Sequence, residues 1–92
     1  MARGSSRLSE FFVYILRCSD GTLYTGSTTD IRRRVREHNS GRGAKYTRSR
    51  RPVTLCHLER GNGRSWALKR EQEIKKLSRS SKLLLCASRL AK

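Results

Sequence analysis

The sequence predicts an α+β fold, a small three-stranded antiparallel sheet flanked by helices in the order β-β-α-β-α-α. Three observations predict it. Two β-branched and aromatic runs, FFVYILRC (11–18) and TLYTGS (22–27), enclose a turn at Ser19-Asp20-Gly21. Apolar residues further along recur at helical spacing behind capping residues. One more strand-like run, VTLCHLER (53–60), separates the first helix from the last two. The 92 residues suffice for one domain and exclude a large multi-domain enzyme.

The elements follow in order. Residues 1–9 are polar and basic and read as a flexible arm, leaving a single domain over 10–90. Two loop lengths fit the first hairpin. A two-residue Asp20-Gly21 turn pairs 17 with 24 and puts Tyr14 and Tyr24 on opposite faces. A three-residue loop, with Gly21 left-handed, pairs 16 with 24 and 14 with 26, and both tyrosines share a face. Thr28-Thr29-Asp30 supplies N-cap oxygens for a helix over about 30–39, with Ile31, Val35 and His38 on one stripe. Gly41 is placed to end it in the left-handed conformation. Residues 41–52, GRGAKYTRSRRP, read as a loop because of two glycines and Pro52. After the third strand comes a turn at 61–63. Ser65 caps a helix of about 66–77 carrying Trp66, Ala67, Ile74 and Leu77, with Trp66 as a core anchor. Ser78 or Ser80 caps the last helix, with Leu83, Cys86, Ala87 and Leu90 on one face.

Charge narrows the function. Lys plus Arg number 22 against 7 Asp plus Glu, a net charge of +15. A compact chain so charged repels itself unless it meets a polyanion, above all nucleic acid. No apolar run approaches a membrane span, and MARGSSRLSE lacks the apolar core of a secretory signal. Cys18, Cys56 and Cys86 are odd in number, widely spaced and without a Cys-x-x-Cys. They read as reduced core residues of a cytoplasmic protein, nucleoid-associated if bacterial. Seven carboxylates with no Asp-x-Asp pair exclude a multi-acid two-metal cage. One metal on one carboxylate stays open, since Mg²⁺ keeps waters and shares phosphate oxygens with its substrate.

Several residues then fall in a known register. Val13-Tyr14-Ile15, followed ten residues on by Tyr24-Thr25-Gly26, resembles the two signature strands of the GIY-YIG nuclease superfamily. Arg34 stands ten residues after Tyr24, and His38-Asn39 closes that helix, as in family members. Glu71, within ALKREQEIK, resembles the family's acidic helix. Lys76-Leu77-Ser78-Arg79 is similar to a group of small stand-alone bacterial members. The resemblance spans about residues 11–85. Val13 stands where the motif's first Gly aligns and Thr25 where its middle Ile does, and neither position supplies a reactive group.

The resemblance implies metal-dependent hydrolysis of DNA phosphodiester bonds, structure-directed or weakly specific, in repair or processing. It implies that Glu71 holds a single Mg²⁺ or Mn²⁺ and that Arg34 binds the scissile phosphate. It implies Tyr24 as general base or water-orienting phenol, Tyr14 as a ligand for water or phosphate, and His38 as a proton-transfer or tyrosine-orienting group. Both tyrosines must then share a face, which selects the three-residue loop. DNA is the expected partner, with RNA and a separate targeting protein left open and no membrane. Arg42, Lys45, Tyr46, Arg48, Arg50 and Arg51 form the basic stretch expected to track a phosphate backbone. Each residue also has a plainer reading. The tyrosines can be strand aromatics, Arg34 one of four arginines on a solvated face, and His38 a structural histidine. His57 packs or faces solvent. Glu71 and Glu73 flank the apolar stripe of their helix, and periodicity does not choose between them. Glu71 can simply pair with Arg70 or Lys75. The rival function is a basic DNA- or RNA-binding module with a vestigial site.

Overall fold

The computed structural model describes residues 10–90, and the arm expected over 1–9 lies outside them. Strands β1 (Glu10–Arg17), β2 (Leu23–Thr28) and β3 (Thr54–Asn62) form an antiparallel sheet in the order β2-β1-β3. Helix α1 (Ile31–Asn39) and the single turn α2 (Lys45–Arg48) lie between β2 and β3. Helices α3 (Arg64–Lys75) and α4 (Arg79–Leu90) follow β3. The β-β-α-β-α-α order holds, with α2 as an added turn inside the stretch expected to be loop.

The hairpin takes the three-residue loop. Cys18 N–H donates to Thr22 C=O at 2.8 Å, and Gly21 N–H to Cys18 C=O at 2.9 Å. Gly21 has φ 85°, the left-handed conformation that costs any other residue about 1–2 kcal/mol. The Asp20 carboxylate fastens the turn by accepting from the Thr22 hydroxyl at 2.6 Å. The register is Leu16 opposite Tyr24 and Tyr14 opposite Gly26, so both tyrosines share a face.

Strand β1 is buried on both faces because it is the central strand of a sheet covered on both sides. Val13 and Ile15 pack with Ala67, Ile74 and Cys86 under α3 and α4. Tyr14, Leu16 and Cys18 pack with Val53, and Ile31 and Val35 of α1 close over them.

Helix α1 begins as expected. The Asp30 side chain accepts the Arg33 N–H at 3.1 Å. It ends in a Schellman arrangement, with Arg42 N–H on Glu37 C=O at 2.9 Å and Gly41 at φ 88°. Two expectations change and one alternative is resolved. Strand β3 runs on to Asn62, because Gly61 pairs with Phe11 and the Trp66 ring lies against it. Helix α3 therefore starts at Arg64 behind Gly63, with no side-chain cap from Ser65. Of the two candidate caps for α4, Ser78 serves, accepting Ser81 N–H at 3.2 Å.

The cysteine reading holds for Cys18, which is buried and free, and is corrected for the other two. Cys56 and Cys86 form a disulfide, their Cα atoms 5.1 Å apart. The cause lies in β3. Its register slips between Ile15 and Leu16, so Cys56 is the extra residue between Leu55 and His57. The bulge turns it toward α4, a feature that spacing along the chain does not announce.

Candidate active site

The site grows from the edge strand β2. Gly26 has no side chain, and the Tyr14 phenol from the neighbouring strand occupies that space. A Cβ on Gly26 would stand 2.6 Å from the Tyr14 hydroxyl oxygen. Tyr14 is 1% exposed, and its hydroxyl lies 3.1 Å from Nε2 of His38. His38 ends α1 fully buried, and its Nδ1 lies 2.8 Å from the Thr47 hydroxyl on α2. Burial pushes the Tyr14 phenol up to about 12, against the Arg34 guanidinium, which pulls it down. Burial likewise holds the His38 imidazole below its ordinary value, and Arg34 adds to the effect. Near neutral pH both groups are uncharged.

Tyr24 stands on the same face, nearer the surface. Its ring lies 5.2 Å from that of His38 and stacks on Tyr46 at 5.9 Å. The Arg50 guanidinium lies 4.0 Å from the centre of the Tyr46 ring. Its hydroxyl has no hydrogen-bond partner among the described residues. Arg34 is half-buried on α1, its Nη1 donating to Glu37 at 2.8 Å. That bond raises the Arg34 pKa and lowers that of Glu37. A guanidinium so held keeps its charge beside the tyrosines and can meet a phosphate.

Glu71 comes from the other side of the sheet. Its Oε1 accepts the Ser27 hydroxyl at 2.7 Å, and its Oε2 takes Lys75 Nζ at 2.8 Å. Ser27 follows Gly26 on β2, so Tyr14 and Glu71 meet adjacent residues of one edge strand. The Glu71 carboxylate is close enough to contribute to the raised Tyr14 pKa. Glu73 points away, paired with Arg70 at 3.2 Å in a network where Arg70 also grips Glu59 at 2.7 Å. His57 packs into that network, with Nε2 on Glu59 at 2.8 Å. Of the two carboxylates flanking the α3 stripe, Glu71 is the one held at β2, the strand that carries Tyr24 and pairs beside Tyr14.

The described residues hold no cluster of three or more His, Cys, Asp or Glu, and a metal at this site would have the single carboxylate of Glu71. The carboxylate fits one. Its side chain is 15% exposed and oriented by Ser27, while Lys75, its counter-charge, is 44% exposed and able to swing out. That donor set suits a hard divalent ion that completes its shell with phosphate oxygens and water.

The basic stretch divides. Arg50 is committed inward, donating to Asp20 at 3.1 Å and to Tyr46 C=O at 2.8 Å. Arg51 donates to Arg48 C=O at 2.8 Å and to Asn39 C=O at 3.3 Å. Arg42, Lys45 and Arg48 are exposed and have no side-chain partner among the described residues. The Asn39 side chain clasps Val53 through both backbone groups, at 2.7 and 3.1 Å, and draws the segment over the site. Sequence reasoning missed Ser27 and Thr47. Ser27 carries the signal of standing beside Gly26 in the motif, whereas Thr47 shows none among its basic neighbours.

A family model described as the GIY-YIG catalytic domain matches residues 10–83. A UPF0213 protein of Syntrophus aciditrophicus is 61% identical over 79 residues, 85% of this chain and 91% of the relative. A UPF0213 protein of Staphylococcus aureus is 52% identical over 82 residues, 89% of this chain and all of the relative. The solution NMR structure of a UPF0213 protein from Bacillus halodurans superposes with a TM-score of 0.55 at 46% identity, covering 85% of this chain and 83% of that one. That of a protein from E. faecalis gives 0.59 at 42% identity, covering 90% and 88%.

Proposed function

The chain belongs to the GIY-YIG family, whose domain is a nuclease domain, and from that membership we propose a metal-dependent endonuclease. It hydrolyses DNA phosphodiester bonds, structure-directed or weakly sequence-specific, in repair or processing. One observation carries the reading. Glu71, across the sheet from the tyrosines, is held by Ser27 next to the glycine that receives Tyr14. Phosphate binding alone has no use for a half-buried carboxylate in a chain of net charge +15.

Glu71 would hold Mg²⁺ or Mn²⁺ together with substrate oxygens. When bound, the ion compensates phosphate charge and eases deprotonation of water. Arg34 binds the scissile phosphate and meets the charge that develops on it. Tyr24, whose ring lies against those of Tyr46 and His38, orients the attacking water as a phenol or, once ionised to phenolate, takes its proton. Tyr14, protonated up to about 12, acts as a hydrogen-bonding group. Arg42, Lys45 and Arg48 hold the backbone on either side of the cut. A second reading has its own support. The Lys75–Glu71 pair neutralises the carboxylate, as a DNA- or RNA-binding module that does not cut would require.

Nicking of supercoiled plasmid and of branched duplexes, with and without Mg²⁺ or Mn²⁺, tests the choice. Wild type and Glu73→Gln should cut, and Glu71→Gln and Arg34→Ala should not. Binding without cutting by wild type establishes the module instead, and cutting by Glu71→Gln removes the metal role.

A further inference from the structure

We propose that Thr47 is a positioning residue. It fixes the ring proton of His38 on Nδ1, so that Nε2 accepts the Tyr14 hydroxyl proton and the Tyr14 oxygen turns its lone pairs toward the site. The effect on cleavage rests on the nuclease reading, and the tautomer itself does not.

Thr47 is fully buried in a one-turn helix whose other residues, Lys45, Tyr46 and Arg48, are exposed. Its hydroxyl has two neighbours, the Ala44 carbonyl at 3.0 Å and His38 Nδ1 at 2.8 Å. A hydroxyl has one proton to give. Given to the carbonyl, it leaves an oxygen lone pair facing Nδ1, and Nδ1 must carry the hydrogen. The protons then run one way, from Tyr14 to His38 to Thr47 to the Ala44 carbonyl, and of the donors around the ring the Ala44 N–H, 3.4 Å from Nδ1, is left facing a hydrogen. In the opposite arrangement the Thr47 hydroxyl and the Ala44 N–H, at 3.4 Å, crowd a single Nδ1 lone pair. Nε2 then carries the hydrogen and donates to the Tyr14 oxygen, and the buried phenol proton is left without His38 as its acceptor. Both arrangements use the 2.8 Å contact; the first adds the 3.0 Å bond to the Ala44 carbonyl where the second adds the 3.4 Å bond from the Ala44 N–H, and it keeps the phenol proton paired within the fold.

Turning the imidazole over would put ring carbons against the Thr47 and Tyr14 hydroxyls that its nitrogens now meet. Gly43 lets the chain lie against the ring, since a Cβ there would collide with His38 Nδ1 and Cγ. The segment is laid on the ring, and Thr47 is the side chain it delivers. The consequence is specific. Tyr14 offers an acceptor to a water O–H, and no proton to a phosphate oxygen.

The test reads His38 by long-range ¹H–¹⁵N correlation of the imidazole nitrogens, in a His57→Gln background that removes the other histidine. Wild type should show Nδ1–H. Thr47→Val, which keeps the shape and deletes the acceptor, should move the proton to Nε2. Thr47→Ser should restore it to Nδ1. An Nε2–H signal in wild type, or an unchanged one in Thr47→Val, overturns the proposal. In the nicking assay Thr47→Val should lower kcat about tenfold or more with KM within about twofold, and Thr47→Ser should recover to within about threefold. A moved proton with kcat unchanged overturns the positioning role and leaves the nuclease reading standing. If wild type does not cut at all, the nuclease reading fails, and the nitrogen signals alone decide where the proton lies.

Discussion

Replacing Gly26 by alanine adds one methyl group at the point where the two halves of the site meet. Its backbone is not left-handed, so the substitution carries no conformational strain of its own. The new carbon stands 2.6 Å from the Tyr14 oxygen, 2.8 Å from Cζ and 3.3 Å from Cε1. The shortest contact is about 0.8 Å inside the 3.4 Å where ordinary contact begins, so the ring must retreat or the strands must part. Tyr14 has nowhere to go. It is 1% exposed, packed with Leu16 and Val53, and tied to His38 at 3.1 Å. Overpacking of this kind costs about 1–3 kcal/mol. Loss of the His38 hydrogen bond adds about 1 kcal/mol. Urea denaturation followed by Trp66 fluorescence should therefore show a loss of about 2–4 kcal/mol, and cleavage should fall with it. Gly21→Ala is the control. It has φ 85° but nothing within 4 Å, so it should lose about 1–2 kcal/mol and keep its activity. A Gly26→Ala variant within about 0.5 kcal/mol of wild type, cutting normally, would refute the claim that Gly26 exists to admit Tyr14.

Stability should fall as pH drops from 7 toward 5. The fold holds His38 below its ordinary value, so the unfolded chain takes up a proton there that the native one refuses. His38→Gln should flatten that slope in denaturation midpoints, and an unchanged slope would assign it elsewhere. At the other end, the native chain keeps the Tyr14 proton to about 12 while the unfolded chain releases it near 10, so stability declines as pH rises through that window. Absorbance at 295 nm should show a tyrosine titrating near 12 that Tyr14→Phe removes. Lys75→Met should tighten Mn²⁺ binding, read by electron paramagnetic resonance, by up to about fivefold, the equivalent of the ~1 kcal/mol of an exposed pair. Equal affinities would show that Lys75 does not compete for Glu71. The log–log salt dependence of DNA binding should lose about 0.9 in slope for each phosphate contact removed by Arg42→Ala, Lys45→Ala or Arg48→Ala. Arg50→Ala should instead lower stability, because its guanidinium is spent on Asp20 and Tyr46.

What could be read from the chain alone was what local chemistry decides. Ser19-Asp20-Gly21 marks the turn but fits two loop lengths; the family resemblance selects the three-residue loop, and that loop sets the register that puts Tyr14 and Tyr24 on one face. Asp30 caps α1, and the helix repeat then carries Arg34 and His38 to its inner side. The unread features depend on contacts closed over distance. Thr47 looks like any residue of a basic loop until Asn39 clasps Val53 and folds the segment onto His38. The Cys56–Cys86 pair needs a bulge that only the pairing of β3 with β1 creates. The family resemblance picks Glu71 over Glu73, but the physical ground for that choice is the sheet beneath α3. Both carboxylates are equivalent on a helical wheel, and they separate only because Ser27 lies under one side and Arg70 with Glu59 under the other.

The sheet order explains why the site lies where it does. Tyr14 belongs to the face covered by α1, and Glu71 belongs to the face covered by α3. Groups on opposite faces of a sheet are normally kept apart by the strands between them. They come nearest a common neighbour at an edge strand. β2 is such an edge, and its Gly26-Ser27 pair serves both layers: the glycine leaves room for the phenol on one face, and the serine fixes the carboxylate on the other. Adjacent residues of β2 thus serve opposite layers, Gly26 giving room to a phenol on the face covered by α1 and Ser27 orienting an acid on the face covered by α3, so a group reaching around this edge strand meets both.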